Sequence, residues 1–151
     1  HSNIGYNYRL SNICAGIGRG QMEVLPERIQ QRRNNYSFYE KELKDLPGIS
    51  FLSEPNGFTS NRWLTTILVD PEKSEGIMRE NIRLRLEDNN IESRPLWKPM
   101  HLQPIFKSYP YYGDRVAENL FVNGLCLPSG SNLINSELQR VSDCIKEIFN
   151  E

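Results

Sequence analysis

Trp63-Leu64-Thr65-Thr66-Ile67-Leu68-Val69 is the stretch on which the fold turns. It is rich in β-formers and apolar on both sides of the strand period, which predicts a buried central strand. Asp70-Pro71 ends it, since proline has no N–H to continue a ladder. Outward from this strand, Ile49 to Leu52 reads as a short strand before a Pro55-Asn56-Gly57 turn. Ile91 to Arg94 and Leu125-Cys126-Leu127 supply two more short apolar runs bounded by turn residues.

Helical spacing fills the intervals. Ile77, Met78, Ile82 and Leu86 mark a helix from about Ser74 to Asp88, and Ile134, Leu138, Val141, Ile145 and Ile148 mark the last one. A short helix falls near Arg115 to Asn123, with Gly124 at its exit. Near the start, Leu10, Ile13, Cys14 and Ile17 follow the amphipathic template, with Ser11 or Asn12 as cap. Proline suits only a first helical turn, so Pro26 predicts a second helix carrying Leu25, Ile29, Tyr36, Tyr39, Leu43 and Leu46, ended by Pro47-Gly48. The order ααβ(β)αβ(loop)αβα implies an α+β unit, a small antiparallel or mixed sheet with helices on one side. Ala15, Gly16, Gly18 and Gly20 weaken the first helix unless a neighbouring helix or subunit packs closely on it.

The chain has 151 residues, enough for one main core. Eighteen Lys+Arg against nineteen Asp+Glu leave a net charge of −1, without the basic footprint of a nucleic-acid binder. Cys14, Cys126 and Cys144 are odd in number and widely spaced, with no CxxC pair, which fits a reducing cytoplasm and predicts no metal site. No apolar run reaches membrane-spanning length. Residues 1–6 run without a linker or initiator methionine into a patterned helix, so the chain is expected to start inside a longer protein.

Few residues offer chemistry. Gly16-Ile17-Gly18-Arg19-Gly20 completes neither phosphate-loop spacing and follows no strand, so it reads as a helix-packing surface. Pro128-Ser129-Gly130 is not a nucleophile elbow, and His1 and His101 are too few to support a triad. His101 lies with Trp97 and Lys98 on a proline-punctuated loop, Arg94 to Pro104, where rigid backbone can present side chains to a ligand; a surface histidine bonded to its own loop fits equally well. In Gly5-Tyr6-Asn7-Tyr8-Arg9 an extended backbone puts Asn7 and Arg9 on one side, a pair suited to a phosphate dianion or simply to a solvated helix entry. Arg32-Arg33 reads as a solvated helix face.

Three segments in order carry a resemblance: Gly5-Tyr6-Asn7-Tyr8-Arg9-Leu10-Ser11-Asn12-Ile13, Arg94-Pro95-Leu96-Trp97-Lys98-Pro99-Met100-His101-Leu102-Gln103-Pro104, and Leu120-Phe121-Val122-Asn123-Gly124-Leu125-Cys126-Leu127-Pro128-Ser129-Gly130. Together they resemble the C-terminal portion of the DegT/DnrJ/EryC1/StrS family of pyridoxal-phosphate-dependent nucleotide-sugar aminotransferases. The resemblance implies the C-terminal small domain of an aspartate-aminotransferase-like (fold-type I) enzyme. Residues 1–24 would be the interface-proximal loop and helix joining a large domain that this stretch lacks, and residues 25–151 the small α+β domain. It implies that pyridoxal 5'-phosphate is bound mainly by that N-terminal domain. Asn7 would reach across a homodimer to the cofactor phosphate, Arg9 would border the substrate side, and Trp97 and His101 would line the nucleotide-sugar pocket.

For the whole protein the resemblance implies amino transfer, usually from glutamate, to a keto group of a nucleotide-linked deoxysugar, in cell-surface polysaccharide or related glycan biosynthesis. The Schiff-base lysine would lie upstream of His1, so this stretch would hold no catalytic residue and be inactive alone. Two rivals remain: a dehydratase of the same family using the same cofactor, and a stand-alone α+β binding module with no exposed apolar face.

Overall fold

The computed structural model describes residues 3–6 and 8–150. Its elements are α1 (Asn12–Leu43), β1 (Ile49–Phe51), β2 (Thr65–Val69), α2 (Arg79–Asp88), β3 (Arg94–Pro95), α3 (Val116–Asn123), β4 (Gly124–Leu127) and α4 (Asn135–Ile148). The four strands form one sheet in the order β1-β2-β4-β3, every pairing antiparallel. β2 is therefore central, with Ile67 opposite Phe51 on one side and Leu125 on the other.

Thr65, Ile67 and Val69 are buried, while Thr66 and Leu68 are half-buried. One face of β2 is thus fully covered and the other only partly, where the sequence predicted burial on both. The covered face meets Tyr39 and Leu43 of α1, Ile82 and Leu86 of α2, and Leu138, Val141 and Ile145 of α4, in one continuous core. Burying side chains of this size supplies most of what holds such a unit together. Two ion pairs lace the helices: Lys146 Nζ lies 2.6 Å from Glu42, joining α4 to α1, and Arg85 lies 3.0 Å from Glu147, joining α2 to α4.

Two glycines are required by close approach. Gly48 has φ +76°, and a Cβ there would come within 2.6 Å of the Asp70 carbonyl oxygen. At Gly124 a side chain would collide with Leu96 and the Leu120 carbonyl, so the step from α3 into β4 admits no larger residue.

The structure corrects several boundaries. The two helices expected around Pro26 are one 32-residue helix that includes it, continuous across residues 24 and 25. Proline removes the bond to the Met22 carbonyl, but Met22 lies on an exposed stretch, where solvent is available to the freed oxygen, and the helix continues. Ser11 caps α1, its hydroxyl accepting the Cys14 N–H at 3.2 Å. α2 begins at Arg79 rather than near Ser74, because Glu75 and Gly76 adopt positive φ and the Ser74 hydroxyl donates to the Asp70 or Ile77 carbonyl. β3 holds only Arg94 and Pro95. The proline-rich loop contains two 3-10 turns, Met100–Leu102 and Pro104–Phe106, since i+3 bonds tolerate prolines placed at turn starts.

Candidate functional site

A cavity of about 670 Å³ opens beside the short strand β3, between the end of β4 and the face of α4. Its lining is mainly apolar and includes Pro95, Cys126, Leu133 and Arg140. Trp63 and Trp97 both line it, and their indoles stack with centroids 5.9 Å apart and planes inclined by 22°. Trp97 is 65% exposed, so the pair offers broad aromatic surface to anything that enters.

The cavity owes its shape to a latch between α1 and the turn after β4. Asn35 donates to the Gly130 carbonyl at 2.8 Å, the Tyr39 hydroxyl to Pro128 at 3.1 Å, and Arg32 to Ser129 and to the Trp63 carbonyl. Arg33 grips Glu54 through two nitrogens at 2.7 and 3.0 Å. The Arg32-Arg33 pair is therefore committed to tertiary contacts, which corrects its reading as a solvated face. Glu54 responds by titrating far below the carboxylate range, pushed down to about 2, first by the Arg33 hydrogen bond and then by the Ser60 N–H. Ser129 is structural as well: its hydroxyl accepts the Thr65 N–H at 2.8 Å and donates to the Leu127 carbonyl at 2.7 Å.

His101 is not among the residues lining the cavity. Its Nε2 lies 3.0 Å from Glu118 Oε1, and its ring stacks on Tyr111 with centroids 3.8 Å apart. Arg115 holds the other oxygen of Glu118 at 2.9 Å. The Arg115 and His101 hydrogen bonds together keep the Glu118 carboxyl below its ordinary range. Arg9 lies in the exposed segment before α1, and Asn7 falls outside the described residues. Trp63, Tyr111 and Glu118 were missed in the sequence because each sits at an ordinary strand-edge, loop or helix position. Only the contacts across 34, 10 and 17 residues of chain reveal them.

Gly16, Gly18 and Gly20 lie within α1, where an added Cβ would meet nothing within 4 Å. They make no anion cradle. Among the described residues no lysine lines the cavity, and no group of three or more His, Cys, Asp or Glu could hold a metal. The described residues of this cavity therefore supply no amine to form a Schiff base with pyridoxal phosphate. No described helix is long and apolar enough to cross a membrane.

Four antiparallel strands backed by α1, α2 and α4 make this an α+β unit. The profile of the DegT/DnrJ/EryC1/StrS aminotransferase family matches residues 1–146, and the chain belongs to that family. It is 46% identical, over 99% of its length, to EpsN of Bacillus subtilis (strain 168), which carries a provisional name as a pyridoxal phosphate-dependent aminotransferase. It is 34% identical, again over 99% of its length, to GDP-perosamine synthase of Vibrio cholerae. The match covers 38% and 40% of these two proteins, so the chain spans about two fifths of the relatives' length. Among solved structures, DesV of S. venezuelae superposes with a TM-score of 0.86 at 25% identity, over all of this chain and 40% of that one.

Proposed function

We propose that this chain is the C-terminal portion of a pyridoxal-phosphate-dependent enzyme that transfers an amino group, from glutamate, to a keto-deoxy nucleotide sugar used in glycan assembly in the cytoplasm. The observation that carries this reading is the likeness to a GDP-perosamine synthase along essentially the whole chain. The cofactor supplies the electron sink for amino transfer. This chain's own share is binding and shaping: Trp97 and His101 face the nucleotide sugar, while Asn7 reaches the cofactor phosphate across a homodimer and Arg9 borders the substrate side.

A second observation supports the division of labour. Ile4, Tyr6, Tyr8, Leu10, Ile13, Ile17 and Met22 are all exposed, an apolar ribbon that a solitary module would not leave in water. In this reading residues 1–24 dock onto the large domain and the partner subunit, and residues 25–151 form the small domain. The chain alone is then inactive.

The test is the absorption spectrum of the full-length protein purified with pyridoxal phosphate, before and after glutamate. A visible cofactor band that bleaches with glutamate, and returns when a keto-sugar nucleotide is supplied, is the expected outcome. A bound cofactor indifferent to glutamate points to the dehydratase branch. A protein that binds no cofactor points to the stand-alone module.

A further inference from the structure

The geometry points to Glu118 as a positioning residue that sets which nitrogen of His101 faces the substrate. The inference rests on the reading of His101 as a sugar-nucleotide contact, and carries it one residue further.

Glu118 lies in the first turn of α3, a helix that enters the sheet at Gly124, where close packing against Leu96 fixes its end. The carboxylate therefore stands on a helix, shortly before the step into the sheet. His101 sits instead on the loop between β3 and α3, whose backbone, among the described residues, pairs with the sheet only through Arg94, Pro95 and Leu96. The 3.0 Å contact between Nε2 and Oε1 spans these two elements, and both side chains are largely shielded, at 18% and 19% exposure. Tyr111 covers the imidazole face and donates its hydroxyl to the Asp114 carbonyl, so the ring is clamped by an edge contact and a face contact together.

An ionised carboxylate can only accept hydrogen bonds. Arg115 helps keep Glu118 ionised, so the proton in the His101–Glu118 bond belongs to Nε2. The neutral ring is then the Nε2–H tautomer and presents Nδ1 as an acceptor. Among the described residues Nδ1 has no hydrogen-bond partner, and it is not among the enclosed polar atoms. An acceptor nitrogen held in one orientation selects a ligand donor, such as a sugar hydroxyl or a base N–H, for whatever reaches the ring. Freed from Glu118, the ring could flip or exchange tautomers and offer a donor there instead.

The experiment uses the full-length enzyme with its nucleotide-sugar substrate and amino donor. Glu118→Ala should raise the sugar KM about tenfold, the loss of one oriented polar contact, while the glutamate half-reaction is unchanged. Glu118→Gln, which retains an acceptor oxygen, should recover part of this and guards against a folding defect in the alanine variant. His101→Ala should raise the sugar KM similarly, and adding Glu118→Ala to it should change nothing further. Nitrogen-15 NMR of histidine-labelled enzyme, with the His101 signal assigned by its loss in His101→Ala, should show the Nε2–H tautomer in the wild type and a mixture in Glu118→Ala. An Nδ1–H tautomer in the wild type, or additive KM effects, overturns the positioning role and leaves the pocket reading standing. Wild-type sugar KM in His101→Ala overturns the pocket reading and this inference with it.

Discussion

Along α1, Ile13 and Ile17 are 77% and 62% exposed, whereas Tyr39 and Leu43, further along the same helix, are fully buried. Both halves carry apolar residues at helical spacing, and among the described residues only the second is packed into the core. The C-terminal half is also held by polar groups, with Arg32, Arg33, Asn35 and Tyr39 each reaching a loop or turn on the sheet side. The N-terminal half has a capping serine and little else to fix it. Residues 12–25 extend about 20 Å of helix beyond the core at 1.5 Å per residue, studded with small and apolar side chains. Periodicity thus specifies that a face will be buried without saying by what.

The largest test of this contrast is Tyr39→Ala. It removes a fully buried ring and the hydroxyl bond to Pro128, and should cost about 3–5 kcal/mol in a denaturant titration of this chain. A cost under about 1 kcal/mol would mean that the C-terminal half of α1 does not anchor the core.

Next comes the Arg33–Glu54 link, which shows itself through pH. The folded-state carboxyl of Glu54 titrates at about 2, against an ordinary 4.5. The ionised form therefore stabilises the fold above about 4.5, and that stabilisation is lost as pH falls toward 2. Glu54→Gln should be less stable than wild type near neutrality, and the gap should narrow steadily in that window. A gap independent of pH would assign the effect to packing instead.

The smallest effect is expected at Ile17. In the 151-residue chain Ile17→Ser should shift stability by no more than about 0.5 kcal/mol, because the side chain is 62% exposed. In the homodimer proposed for the full-length protein the same change should weaken subunit association, measured by sedimentation at falling concentration. A large loss in the short chain would show that this half of α1 is packed there after all.

Much of the fold was readable in order. β2 as the central strand, Gly124 as the exit from α3, and the Ile134-to-Ile148 stripe of α4 all follow from local pattern. Pro26 misled because an interior proline weakens a helix without always ending it, and α1 runs on through it. The Glu75-Gly76 turn misled in the opposite direction, with helical spacing running through a backbone that positive φ breaks. Trp97 and His101 were legible as candidate side chains on a proline-stiffened loop, of which only Trp97 lines the cavity. Their partners Trp63 and Glu118 were not, because neither residue's neighbours in sequence indicate a contact across the fold.

By itself the sequence determined the α+β order, the family, and the loop that carries the candidate substrate contacts, since these follow from spacing and motif, which are local. Only the tertiary structure decided that α1 is a single helix with one half unpartnered, that Arg32 and Arg33 latch rather than face solvent, and that His101 is clamped between Glu118 and Tyr111. Each of those depends on which distant groups desolvate one another, and desolvation is a property of the packed chain.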